Sequence, residues 1–372
     1  MSIRKIEIEG YKSVSSLKLE NVSPLLAFAG ANGSGKSNVV DALAFFGAVV
    51  RIGAAQARTQ FGGFSQIHCF KHRLAKRTTA SLSIAVILDG SEYDYSLCVS
   101  NLDADPKVTE SLTVDGISVI DRADSGRVEV RFDRHAPGTQ MLPGYPDGMT
   151  ALMLMGKSPL YAFLSNIRVF RFDPIAAKEP SVSKADDSEL DAHGRNVAPM
   201  LQSLQKDSER QKQVLEWLAL IVPGMESVAT ETQRLDGSTV ITFKEKGTKA
   251  RFPAQLVSDG TVYTLCILTA MLSRSSGTGI TIIEEPERGM HPKAIGAMID
   301  LMRANASSEH PIFLTTHSES VVRNLLVEEL LLAGKQDGKT QINPVDDRGI
   351  DWKEITLDAA WMCNLLDGGL PW

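Results

Sequence analysis

Little in this chain of 372 residues points to cross-links, membranes or repeats. Its four cysteines, Cys69, Cys98, Cys266 and Cys363, stand alone, with no CxxC and no metal-ligand spacing. That excludes a disulfide scaffold and predicts reduced thiols in a cytoplasmic protein. The longest apolar stretch, VYTLCILTAML at 262–272, is too short to cross a bilayer. The start, MSIRKIEIEG, alternates like a strand and lacks the apolar core of a signal peptide. No internal repeat and no sustained heptad pattern is present, which excludes a solenoid and a long coiled coil. A formal charge of −6 argues against a surface built wholly for nucleic acid, although a local basic patch remains open.

What is present is an ordinary globular composition, 43% hydrophobic and 23% charged, enough for one large domain or two ordinary ones. Three strands are expected in the first 30 residues (IRKIEIEG, SLKLENV, LLAFAG), then a glycine-rich turn running into a helix. Residues 55–78 read as loop, 79–134 as an antiparallel meander, and 135–148 as a glycine- and proline-rich loop. Residues 149–166 read as helix, IRVFRFDP as strand, 175–190 as a polar, mobile stretch, and 191–222 as helix. A β-like stretch at 237–256 precedes a helix after SDGT, the strand GITIIEE, a helix from Pro292 and the strand PIFLTTH. Strands alternating with helices in the last third predict a partly parallel sheet.

Four motifs carry chemistry. GANGSGKS, Gly30 to Ser37, fits G-x-x-x-x-G-K-[ST] between a strand and a helix. Gly30, Asn32, Gly33, Ser34 and Gly35 form a loop whose amides can face phosphates, and Asn38 follows in the helix. Lys36 reaches the β- and γ-phosphates of a nucleotide, and Ser37 ligates Mg²⁺. In TIIEE the two acids end an apolar strand. Glu284 organises the metal, and Glu285 serves as general base or water-orienting group. VSDGT opens a helix, so Ser258, Asp259 and Gly260 offer a second phosphate-facing surface. His317, in FLTTHSE, stands beyond another apolar strand where a γ-phosphate sensor is needed.

In this order the motifs resemble those of the ABC-type ATPase heads of the SMC/RecF/OLD group, most closely the stand-alone AAA_21-like, OLD-related ATPases. EEPERGMHP and IEGYKSV carry the finer likeness. The resemblance covers about residues 1–50 and 250–325. It implies an α/β P-loop NTPase head with a mixed or parallel core sheet, an antiparallel β subdomain and a short helical insert. It further implies a head-to-tail homodimer around two ATPs, or a higher homo-oligomer, with Lys36 and Glu285 of one subunit facing Ser258 and Gly260 of the other. Lys12 fills the place of a basic residue near the nucleotide, and Gln60 or Gln66 that of a metal-sensing glutamine. Three residues depart from the group's pattern: Glu284 stands where Asp is usual, Val257 where Leu is commoner, and Tyr263 where many relatives carry arginine.

On this reading the chain divides into 1–174 and 251–345, the two parts of the head, 175–250, a helical insert or lid, and 346–372, a tail. Only 55 residues follow His317, too few for the nuclease domain of OLD proteins, and Asp346 and Asp347 are a poor substitute. The expected role is an ATP-driven switch for a separately encoded nuclease or toxin, plausibly in anti-phage defence. The alternative is a RecF-like ATPase meeting DNA through Lys71, His72, Arg73, Lys76 and Arg77. Trp352, Trp361 and Trp372 in the tail suggest a protein-docking surface or the closing of the domain's own core.

Overall fold

The computed structural model describes residues 3–69, 78–124, 127–133, 138–182, 189–274, 277–345 and 349–366. Its centre is a six-stranded sheet. Five parallel strands lie side by side as Arg168–Phe170, Thr281–Glu284, Ile312–Thr316, Leu25–Ala29 and Leu330–Gln336, and Lys339–Pro344 closes the edge antiparallel. Leu25–Ala29 and Ile312–Thr316 are buried at every position, as parallel strands covered on both faces must be.

Successive side chains of a strand point to opposite faces, so Leu25–Ala29 feeds two cores. Leu26 and Phe28 pack with Val39, Leu43 and Phe46 of the helix Lys36–Ile52 and with the interior of an eight-stranded antiparallel sheet. Leu25, Ala27 and Ala29 pack with Leu265 and Leu268 of the helix Asp259–Arg274, and with Met298 and Ile299 of the helix Pro292–Asn305. The antiparallel sheet follows local rules. Ala80–Leu88 alternates buried and half-buried residues along its length. The turns Asp89-Gly90 and Asp115-Gly116 have the paired positive φ that two-residue hairpins require.

The mixed core sheet and the antiparallel β region agree with expectation, but several local readings need correction. Residues 54–67 are not loop: they hold the helices Ala54–Gln60 and Phe64–Ile67. Within 175–190, Asp173 caps the helix Pro174–Lys178 through the amides of Ile175 and Ala176, and Ser181–Val182 pairs as a strand. The insert is more than helical. Met225–Thr232 and Ser238–Glu245 form an antiparallel pair edged by Ser181–Val182 and Phe252–Pro253. Its helices Val197–Leu204 and Ser208–Ile221 bury Leu201, Leu204, Leu218 and Ile221 in the second core, so they fill the head. In the tail, Trp361 is buried with Leu357 and Ala360, and Trp352 packs against them, so both rings close the chain's own core. The basic cluster at 71–77, Asp346, Asp347 and Trp372 lie outside the described residues. Among the described residues, no helix is long and apolar enough to cross a membrane.

Candidate functional site

The parallel strands end along one edge of the core sheet, where α/β folds bind ligands. In spatial order the edge carries Arg171, then Glu284 and Glu285, then His317, then the loop opening at Gly30. Positions scattered from 30 to 317 in the chain thus meet in one crevice.

The glycine loop is held from below. A Cβ on Gly30 would stand 2.2 Å from the Ala333 carbonyl, and one on Gly35 would stand 1.8 Å from Thr340 Oγ1. Gly33, at φ +81°, faces open space. The amides of Asn32, Gly33, Gly35, Lys36 and Ser37 donate to no backbone carbonyl among the described residues. These free donors at the start of a helix suit an anion. Asn32 is exposed, whereas the Ser34 hydroxyl is buried without a partner among the described residues. Lys36 Nζ turns back onto the loop, donating to the Gly30 and Ala31 carbonyls at 2.7 and 2.9 Å. Burial lowers its pKa, opposed by the charges of Glu285, Glu287 and Glu284. Asn38 points away from the loop, since its amide donates to Ser13 Oγ at 2.6 Å, and Ser13 Oγ in turn lies 2.6 Å from Thr340 Oγ1.

Ser37 Oγ donates to Glu284 Oε2 at 3.1 Å. Two hard oxygen donors at this spacing suit a divalent cation such as Mg²⁺. Glu285 follows at φ +49°, a left-handed conformation uncommon for a glutamate, with its amide on the Thr315 carbonyl at 2.9 Å. Its Oε1 lies 3.2 Å from His317 Nδ1, so these two residues meet directly. The Tyr263 hydroxyl donates to the carbonyls of Glu284 and Glu285 at 3.0 and 3.1 Å, and burial raises its pKa so that it stays a donor. Tyr263 thus ties the helix Asp259–Arg274 to the acidic strand end. Glu287, only 9% exposed, accepts from Thr316 Oγ1 at 2.6 Å, while Thr316 Oγ1 accepts from the Ser318 amide. That chain braces the loop bearing His317.

Sequence reasoning missed two members. Arg171 donates through Nε and Nη2 to Glu284 Oε1 at 2.9 and 2.5 Å, and through Nη2 to Asp41 Oδ1 at 2.5 Å. Burial works against its charge, but Glu284 and Asp41 outweigh burial and raise its pKa. Asp41, one turn beyond Ser37, also holds Lys12 Nζ at 2.5 Å. The one available signal was Arg171 standing just past an apolar strand, as the expected site residues do.

The remaining expected residues separate. Ser258 Oγ accepts from the Thr261 amide at 3.2 Å, the bond of a helix cap. Asp259 is paired with Lys178 at 2.5 Å, and Gly260 packs on the Gly289 carbonyl. No hydrogen bond or ion pair joins these three to the glycine loop among the described residues. Of the two glutamines, Gln66 precedes Ile67, whose carbonyl accepts from the Lys12 amide at 2.9 Å. Gln60 sits beside Phe61, whose ring packs on Phe45, about 13 Å along the helix from Lys36.

A model of the AAA_21 family, described as "AAA domain, putative AbiEii toxin, Type IV TA system", matches residues 25–127 and 157–323. The chromosome partition protein Smc of Halothermothrix orenii is 29% identical over 119 residues, which are 32% of this chain and 9% of that protein. The match therefore spans less than a tenth of that relative. Among solved structures, an Smc head bound to the C-winged helix domain of ScpA superposes with a TM-score of 0.59 at 17% identity, over 92% of this chain and 97% of that one. An Smc head with an extended coiled coil bound to the C-terminal domain of ScpA, derived from Pyrococcus furiosus, gives 0.54 at 14% identity, over 98% of each chain. These likenesses show the SMC-head fold.

Proposed function

The chain belongs to the AAA_21 family of AAA domains, and on that premise we propose that it binds and hydrolyses ATP as a molecular switch. The observation that carries this reading is the convergence of Lys36, Ser37, Glu284, Glu285 and His317 on one sheet edge, with Ser37–Glu284 at 3.1 Å and Glu285–His317 at 3.2 Å. The loop amides and Lys36 hold the phosphates, Lys36 exchanging the Gly30 and Ala31 carbonyls for phosphate oxygens. Ser37 and Glu284 would hold Mg²⁺, which would supply neutralisation of phosphate charge. Glu285, fixed by Tyr263 and by its left-handed backbone, takes the proton of the attacking water. His317 contacts the γ-phosphate, and Gln66 rather than Gln60 approaches from the Lys12 side.

Ser258, Asp259 and Gly260 have no role toward their own loop, which supports a head-to-tail homodimer in which they close over the partner's ATP. The ScpA-bound heads among the structural neighbours support a separate protein as the effector, and we place that switch in anti-phage defence.

Steady-state phosphate release tests this directly. Lys36→Ala and Glu285→Gln should each lower it on the order of 100-fold or more. Wild-type turnover by Lys36→Ala would refute the reading.

A further inference from the structure

Lys12, Asp41, Arg171, Glu284 and Ser37 form one unbroken chain of polar contacts with no net charge. Lys12 holds one oxygen of Asp41 and Arg171 holds the other; Arg171 also holds one oxygen of Glu284, and Ser37 holds the other. The two ends lie on the turn after the first strand and at the start of the loop helix. Both guanidinium nitrogens that reach Glu284 converge on the single oxygen Oε1, leaving Oε2 turned toward Ser37. A glutamate can divide its oxygens between two such partners more readily than the shorter aspartate, which gives a physical reason for Glu at position 284.

This arrangement bears on the metal. A divalent cation beside Ser37 and Glu284 meets a carboxylate already neutralised by a guanidinium that cannot lose its proton. Its charge is repelled by Arg171 unless that side chain gives up Glu284 and leans wholly on Asp41, to which it is already bonded. Arg171 is 42% exposed, so it has room to make that exchange. We propose that Arg171 is an internal counter-cation for Glu284 that competes with the divalent metal, and that this competition sets the metal concentration at which nucleotide is held. Asp41 is the resting place that lets Arg171 step aside. The inference rests on the ATP and Mg²⁺ reading above and adds to it a residue that tunes metal demand.

The test is equilibrium binding of a fluorescent, non-hydrolysable ATP analogue to the full chain, titrated with Mg²⁺. Arg171→Gln should lower the half-saturating Mg²⁺ concentration about threefold to tenfold, the effect of freeing one partly buried carboxylate from its ion pair. Arg171→Lys, which keeps the charge but loses the fork, should fall between wild type and Arg171→Gln. Asp41→Asn should move the midpoint upward, because Arg171 then has only Glu284. A purely structural role for Arg171 predicts weaker metal binding in every variant. An unchanged or raised midpoint in Arg171→Gln with a native thermal melt would overturn the proposal. If Arg171→Gln does not fold, a lowered midpoint in Asp41→Asn does the same. Wild type that binds no analogue at any Mg²⁺ concentration would overturn the ATP reading, and this inference with it.

Discussion

Two buried glutamates show how differently the two halves of the molecule treat a charge. Glu110, inside the antiparallel sheet, accepts from Tyr95 at 2.9 Å and from the amides of Ala151 and Leu152, with the fully buried Arg122 at 3.9 Å. Glu287, at the catalytic edge, has one oxygen on Thr316 and the other buried with no partner among the described residues. The same contrast runs through the backbone. The antiparallel sheet turns two of its corners on the pairs Asp89-Gly90 and Asp115-Gly116, whereas the proposed catalytic edge holds Glu285 in the left-handed region without a glycine. At these positions the antiparallel half keeps to local rules, and the other half breaks them within a few residues of the proposed phosphate site, which is where functional proteins spend stability.

The largest test of this contrast is Glu110→Ala. It strips a buried acceptor from two amides and the Tyr95 hydroxyl and takes from Arg122 its buried carboxylate, leaving only the half-exposed Asp147, so it should cost about 3 kcal/mol, read as a lowered denaturant midpoint. Hydrolysis per folded molecule should stay at the wild-type level, because Glu110 is remote from the catalytic edge.

A glycine pair sharpens the comparison next. Gly35→Ala drives a methyl into Thr340 at a φ of +101° and should cost about 3 kcal/mol as well as nucleotide binding. Gly116→Ala has a similar φ of +78° but open space around it, so it should cost only about 1 kcal/mol and spare binding. Equal costs in chemical denaturation would mean that the loop is not braced from below as described.

The smallest expected effect is a pH dependence. Burial raises the Glu287 carboxyl from its ordinary 4.5, outweighing the Thr316 hydroxyl, its own amide and His317, which pull it down. The folded state therefore binds this proton more tightly than the unfolded state. The stability it contributes is complete below pH 4.5 and is lost as pH rises through the raised value. Glu287→Gln should flatten the melting temperature against pH above 4.5 relative to wild type. Parallel curves would remove Glu287 from the account.

What was legible in the sequence follows the same divide. The glycine loop, the acid pair and His317 could be read because each stands at fixed spacing beside an apolar strand. The antiparallel meander could be read from alternation. Arg171 carried only its place past an apolar strand and Asp41 nothing, because their ion pairs link positions 113 and 130 residues apart. Thr340 under Gly35 depends on the hairpin Leu330–Gln336 and Lys339–Pro344, whose Asp337-Gly338 turn was a readable signal passed over. Of the insert's sheet, Ser238–Glu245 and Phe252–Pro253 fall within the stretch read as β-like, whereas Met225–Thr232 follows a helical run and alternates weakly, and the tail tryptophans carried no sign of which core they enter.

The most direct test of the central claim is light scattering of Glu285→Gln with and without ATP and Mg²⁺. Capable of binding ATP but stalled before hydrolysis, it should become a dimer holding two ATPs per pair only when both are present. Adding Lys36→Ala or Ser258→Arg should return it to monomer. Association that ignores nucleotide, or no association with ATP bound, would contradict the switch proposed here.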